Sequence, residues 1–133
     1  MTGASDGIGK SYALELAKEG FNIILMARSK DKTEAVAKEV RDTHSVQTKV
    51  IIFDFGKLNT TDEIVKFNAL LEQNIADLDV SILVNNVGFA AFGLLNKLST
   101  FDMMNSVCVN NKAQPLMTSA LIQRLHRPRP CPC

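Results

Sequence analysis

Residues 2–9, TGASDGIG, place Gly3, Gly7 and Gly9 directly in front of a helical sequence. Residues 8–19, IGKSYALELAKE, put Ile8, Tyr12, Leu16 and Glu19 on one stripe with Ala13 and Ala17 alongside, the repeat of an amphipathic helix. Ser5 and Asp6 stand where a helix cap belongs, and Gly20 where a helix ends. Glycines let the backbone turn tightly, and the helix start presents N–H groups that have no intrahelical partner. Such a loop normally hangs from the end of a buried strand. Only Met1 and Thr2 precede it here.

Beyond this loop, the chain alternates short apolar runs with longer periodic ones. FNIILMARS contains a run from Ile23 to Ala27 that reads as a strand buried on both faces. KDKTEAVAKEVRDTH reads as a half-exposed helix with Ala35, Val36 and Val40 inward and His44 at its exposed end. TKVIIFDF is a second β-branched run, Val50 to Phe53, closed by Asp54. TTDEIVKFNALLEQNI predicts a helix capped by Thr60 or Thr61, with acids in its first turn and a stripe of Ile64, Phe67, Leu70 and Leu71. DVSILVNNVG predicts a third buried strand, Ser81 to Val84, and residues 99–125 are helical again. Strands that are apolar throughout and alternate with helices predict an α/β fold, a doubly wound parallel sheet with helices on both faces. Residues 1–125 form this unit, and HRPRPCPC, residues 126–133, abandons the pattern and is expected to be an unstructured tail.

Bulk properties narrow the functional class. With 133 residues, 46% hydrophobic and 22% charged, the chain is one domain of ordinary globular balance. A net charge of +1 gives no case for nucleic acid. No apolar run reaches the roughly 18 residues of a membrane span, so no membrane segment is expected within this chain and, as given, it reads as cytoplasmic. The cysteines, Cys108, Cys131 and Cys133, are too few and too clustered for a disulfide framework. CPC with His126 supplies too few ligands for a metal, and no metal site is expected.

The chemistry lies in the glycine loop and at the end of the next strand. Glycines at a helix N-terminus allow a backbone to approach a pyrophosphate, and the helix start favours its negative charge. Arg28 ends that strand, 21 residues after Gly7, where a dinucleotide fold meets the adenosine ribose. An acid there would bind a 2′-hydroxyl, whereas an arginine suits a 2′-phosphate. Ala27, Arg28 and Ser29 include no acid, which predicts NADP(H) over NAD(H).

TGASDGIG, ARS, DF, NNVG and VNN occur in the order and spacing of the short-chain dehydrogenase/reductase family, which the chain resembles from Met1 to about Leu125. SDGIGKSYALELAKEGFNIILMARSKDK and ILVNNVG look most like the branch of very-long-chain 3-oxoacyl-CoA reductases and 17β-hydroxysteroid dehydrogenases. The resemblance implies a Rossmann-like fold and NADPH-dependent reduction of an acyl-CoA or steroid ketone. It implies that Gly3, Ser5, Asp6, Gly7, Ile8 and Gly9 form the phosphate loop and that Arg28 holds the 2′-phosphate. Asp54 and Phe55 would flank the adenine. Asn85, Val87 and Gly88 would line the central part of the cofactor, with Asn85 also bracing the sheet, and Asn110 would order a water in a proton relay. It further implies a homodimer through the last helix and a place at the endoplasmic reticulum membrane.

Three departures qualify the expected function. The family's catalytic serine and Y-x-x-x-K pattern lie beyond the asparagine helix, and no counterpart occurs here; Tyr12 is the chain's one tyrosine. Ketone reduction needs an acid to protonate the alkoxide, so the 133 residues are expected to bind cofactor without turnover. The family's central strand is represented by Met1 and Thr2, which predicts a gap of about 9–10 Å between its neighbours. Unpaired groups there would each cost roughly 1–3 kcal/mol against a total stability of roughly 5–15 kcal/mol, so the sheet is expected to be unstable alone. Pro115 interrupts the last helix and should clash with the carbonyl of Asn111. GFAAFGLL, after the NNVG turn, is expected to be core packing rather than an acyl-chain wall.

Overall fold

The computed structural model describes residues 1–125, so the tail with His126, Cys131 and Cys133 lies outside the described residues. Its elements are α1 (Gly7–Lys18), β1 (Ile23–Ala27), α2 (Lys30–His44), β2 (Thr48–Ile52), α3 (Thr61–Ile75), α4 (Thr100–Val107), a π-helical turn (Cys108–Lys112) and α5 (Ala113–Leu125). β1 and β2 pair in parallel, with Ile23 opposite Thr48 and Ala27 opposite Ile52. The alternation of β1 side chains divides the core in two. Ile23 and Leu25 pack on the α1 and α2 side with Ala13, Ala17, Val36, Ala37 and Val40. Met26 and Ile51 pack on the other side with residues of α3 and α5. Helices therefore cover both faces of the sheet, the α/β architecture expected from the alternating pattern.

The α1 stripe falls on a different face from the one expected. Gly9, Ala13 and Ala17 are buried, while Ile8 and Tyr12 are 70% and 52% exposed. Small side chains let α1 approach the sheet closely, and that proximity outweighs the apolar area of the larger residues. On α2 the inward alanine is Ala37 and not Ala35. On α3, Thr60 is the cap, accepting from the Glu63 N–H at 3.3 Å, and Phe67, Leu71 and Ile75 are the buried residues. Phe67 forms an aromatic trio with Phe53 and Phe55, with ring centroids 4.9–5.9 Å apart.

The expected third strand, Ser81 to Val84, forms no ladder among the described residues. A strand exists through its partners, and between β1 and this segment lie only Met1–Gly3. Thr2 bridges Met26 on one side, and its N–H donates to the Val84 carbonyl at 3.0 Å on the other. The expected gap is thus spanned at one end.

The long final helix passes through the π-helical turn. There the Ala113 N–H reaches back to the Cys108 carbonyl, one residue farther than an α-helix allows. The backbone stays helical at Val107 and Ala113, so the helix runs through this turn and Pro115 follows it in α5. Within GFAAFGLL only Phe89 packs against the core, while Phe92, Leu94 and Leu95 are 92%, 66% and 75% exposed. No helix among the described residues is long and apolar enough to cross a membrane.

Candidate functional site

An open cleft of about 270 Å³ lies along the ends of β1 and β2. The glycine loop supplies one wall of it. Gly3 has φ +64°, a left-handed conformation, and a Cβ there would sit 2.9 Å from the Val87 Cα. Only glycine permits both that conformation and that approach. Asp6 caps α1 by accepting from the Gly7 N–H at 2.8 Å. Ser5 lines the cleft beside it.

Asn86 holds the loop from behind. Its Nδ2 donates to the Thr2 carbonyl at 3.3 Å and to the Gly3 carbonyl at 3.1 Å. The buried Thr2 hydroxyl oxygen accepts from the N–H groups of Asn86 and Val87 at 3.0 and 3.1 Å. These bonds tie the glycine loop to the turn after residue 84, so the two walls of the cleft are a single unit. Asn85 points elsewhere: it is exposed and donates to the Thr118 hydroxyl on α5 at 3.1 Å. The bracing expected of Asn85 at this junction falls to its neighbour. Two adjacent asparagines after a strand gave no sequence signal for which of them turns inward.

The far wall comes from the ends of the strands. Arg28 follows β1, is exposed, and pairs with no carboxylate among the described residues. Asp54 follows β2, and its Oδ1 accepts from the Gly56 N–H at 3.0 Å, which fixes the carboxylate at the rim. Phe55 also borders the cleft, but it is only 2% exposed and its ring belongs to the aromatic trio. It is a wall held by the core, not a free side chain.

Val87 and Gly88 complete the lining, with Ala27, Phe53, Phe89 and Val109, which the sequence had not singled out. Asn110 clamps this turn. Its Oδ1 accepts from the Phe89 N–H at 2.9 Å, and its Nδ2 donates to the Phe89 carbonyl at 2.8 Å and to the Ser106 hydroxyl at 3.2 Å. The π-helical turn that carries Asn110 is anchored in turn by Lys112, whose Nζ donates to the Leu58 carbonyl at 3.0 Å. The Cys108 thiol donates to Asn59 Oδ1 at 2.7 Å.

Gly3, Ser5, Asp6, Arg28, Asp54, Phe55, Val87 and Gly88 thus share one cleft. Gly7, Ile8 and Gly9 stand outside its lining; Gly7 and Ile8 are exposed at the start of α1, and Gly9 is buried behind Gly3. The cleft combines the glycine turn at Gly3 just ahead of α1, the exposed Arg28 guanidinium and the fixed Asp54 carboxylate. That set suits an extended, phosphorylated ligand.

A family model described as short chain dehydrogenase matches residues 1–129. Over 90 residues, 68% of this chain, it is 46% identical to a very-long-chain 3-oxoacyl-CoA reductase of Danio rerio, covering 26% of that protein. Over 127 residues, 92% of this chain, it is 39% identical to the inactive hydroxysteroid dehydrogenase-like protein 1 of Homo sapiens, covering 36% of it. Among solved structures, a short-chain dehydrogenase from Sphingobium yanoikuyae in complex with NADPH superposes with a TM-score of 0.79 at 27% identity. That match covers 93% of this chain and 46% of the other. The chain therefore spans about a quarter to a third of these curated relatives and about half of the solved structure.

Proposed function

This chain belongs to the short-chain dehydrogenase family, and on that basis we propose that its cleft is the NADP(H)-binding half of a ketone reductase acting on a 3-oxoacyl-CoA or a 17-ketosteroid. The observation that carries this reading is the one cleft shared by Gly3, Arg28, Asp54 and Gly88. Gly3 and the start of α1 would hold the pyrophosphate, Arg28 the 2′-phosphate and Asp54 the adenine side. Val87 and Gly88, stiffened by Asn110, would support the nicotinamide half. When bound, NADPH would supply the hydride; the residues here hold and orient it. Names of the relatives support the substrate class, and acyl-CoA and steroid remain its two members.

A non-catalytic role is the second reading, favoured by the 39% identity to a relative named inactive. The 133-residue polypeptide would then bind NADPH without turning over a ketone. Self-association through the last helical region belongs to this reading, supported by an exposed stripe of Phe101, Met104 and Val107 on α4. Sedimentation of the purified chain tests it, and a strictly monomeric species would refute it.

The test of the cofactor site is a titration of the chain with NADPH and NADH, monitored by nicotinamide fluorescence. NADPH should bind at least about tenfold more tightly, and Arg28→Ala should remove most of that difference, since a charge-assisted phosphate contact is worth roughly 1.5–3 kcal/mol. Equal affinities in the unsubstituted chain would overturn the 2′-phosphate assignment. Addition of a 3-oxoacyl-CoA should cause no NADPH oxidation, and measurable turnover would overturn the non-catalytic reading.

A further inference from the structure

The π-helical turn Cys108–Lys112 bonds to two segments that are far apart in sequence. Cys108 and Lys112 stand four residues apart, so they share one face of the helix, and Asn110 lies between them on another. The first face meets the segment after β2. There Lys112 Nζ donates to the Leu58 carbonyl at 3.0 Å, and the Cys108 thiol donates to Asn59 Oδ1 at 2.7 Å. The other face meets Phe89, whose N–H and carbonyl are held by Asn110 at 2.9 and 2.8 Å. Val109, on the same turn, lines the cofactor cleft itself.

The segment gripped by the first face carries one wall of that cleft. Asp54 Oδ1 accepts from the Gly56 N–H at 3.0 Å, and Asn59 Nδ2 donates to the Gly56 carbonyl at 3.2 Å. Gly56 thereby links the carboxylate of the cleft to the asparagine that accepts from Cys108. Gly56 also lies against α4, where a Cβ would overlap the side-chain amide of Asn105. Leu58 and Cys108 are fully buried, so this joint has little room to shift. The segment gripped by the second face, Val87–Phe89, is another wall of the same cleft. Among the described residues no hydrogen bond joins residues 54–59 directly to residues 86–89, and the turn bridges them.

Lys112 is the charged member of this joint. It is half-buried and pairs with no carboxylate among the described residues. A lysine normally keeps its ammonium in water on a flexible stem. Here the ammonium is committed to a backbone carbonyl, a charge-assisted bond that fixes the turn against Leu58.

We propose that Lys112 is a positioning residue of the cofactor cleft. Through the π-helical turn it fixes the Val87–Phe89 wall relative to the Asp54 wall, and so governs the affinity for a ligand that spans both. The inference rests on the NADP(H) reading and adds a residue that stands outside the lining of the cleft. A ligand that touches one wall alone is indifferent to the spacing.

The test compares NADPH with adenosine 2′,5′-bisphosphate, which carries the adenosine half alone, by calorimetry on the 133-residue chain and its variants. Lys112→Met should weaken NADPH at least about fivefold, while the bisphosphate changes by less than about twofold. Lys112→Arg, which can still donate, should restore NADPH binding. In an Asn110→Ala background, Lys112→Met should weaken NADPH by less than about twofold more, because both residues act through Phe89. Without ligand, Lys112→Met should speed amide exchange at Phe89 at least about threefold and leave that at Ile23 unchanged. A general loss of stability would produce neither the split between ligands nor the confinement to Phe89. Asn59→Ala loosens the same joint from its exposed side and should give the same split. It decides the question if Lys112→Met loses its cooperative urea transition. Equal losses for both ligands, additive losses with Asn110→Ala, or unchanged NADPH binding would overturn the positioning role and leave the cofactor reading standing. An unsubstituted chain that binds neither ligand would overturn both.

Discussion

Gly9→Ala isolates the contact that holds the glycine loop in place. Gly9 lies within α1 with ordinary helical backbone, so on conformational grounds alanine should stabilise it by up to about 1 kcal/mol. Space reverses the sign. A Cβ at Gly9 would sit 2.2 Å from the Gly3 carbonyl oxygen and 2.6 Å from Asn86 Nδ2, where ordinary contact begins near 3.4 Å. The loop must retreat by about 1 Å, and the obstacle is mainly backbone. Overpacking of this kind costs about 1–3 kcal/mol. The shift also strains the Asn86 bond to the Gly3 carbonyl, now 3.1 Å long, worth about 1 kcal/mol. Set against the gain in helix propensity, the net expectation is destabilisation by about 1–3 kcal/mol. NADPH affinity should fall at least tenfold, or about 1.4 kcal/mol, because the displaced loop is the proposed phosphate cradle. Urea denaturation and fluorescence titration measure the two effects separately. A Gly9→Ala chain of unchanged midpoint and NADPH affinity would refute both the packing and the assignment of the loop.

Three other outcomes rest on the same geometry. Thr2→Val keeps the shape but leaves the Asn86 and Val87 N–H groups without their acceptor, so stability should drop by about 1–3 kcal/mol in urea, with Thr2→Ser restoring most of it. Phe67→Ala removes a fully buried ring from the aromatic trio and should cost about 3–5 kcal/mol, enough to abolish a cooperative thermal transition. The third concerns pH. The Met1 ammonium is held down to about 6 by burial, against 8.0 when exposed, so the unfolded chain binds more protons between those values. Stability should therefore rise from pH 6 to pH 8 and level off on either side, by no more than a few kcal/mol from this group. Acetylating the amino terminus should flatten that part of the profile; an unchanged slope would refute the burial.

Much of the site was legible because its chemistry is local. The loop before α1, Arg28 after β1, Asp54 after β2 and Gly88 after the 79–84 segment all sit at ends of elements whose apolar periodicity is plain. Parallel strands deliver their C-terminal ends to one edge, so residues far apart in sequence meet there without any long-range information being needed to name them. Glycine spacing and strand ends are properties of short windows, and such windows are enough to specify the α/β alternation and most of the cleft.

Tertiary packing settled every choice between equivalent neighbours. Asn85 and Asn86 are chemically identical, and only the position of Thr2 and Gly3 selects Asn86 as the brace. Ile8 and Tyr12 looked like the buried face of α1, yet the nearness of the sheet admits only Gly9, Ala13 and Ala17. Pro115 read as a break, but the helix runs on through a π-helical turn at Cys108–Lys112 ahead of it, and that turn carries the Asn110 that clamps Phe89. The 81–84 run has the composition of a strand and lacks a ladder, because a strand is defined by hydrogen bonds to a neighbour and not by its own residues. Periodicity reports what a segment prefers to bury; which face, which partner and how close depend on the volume left by elements distant in the chain.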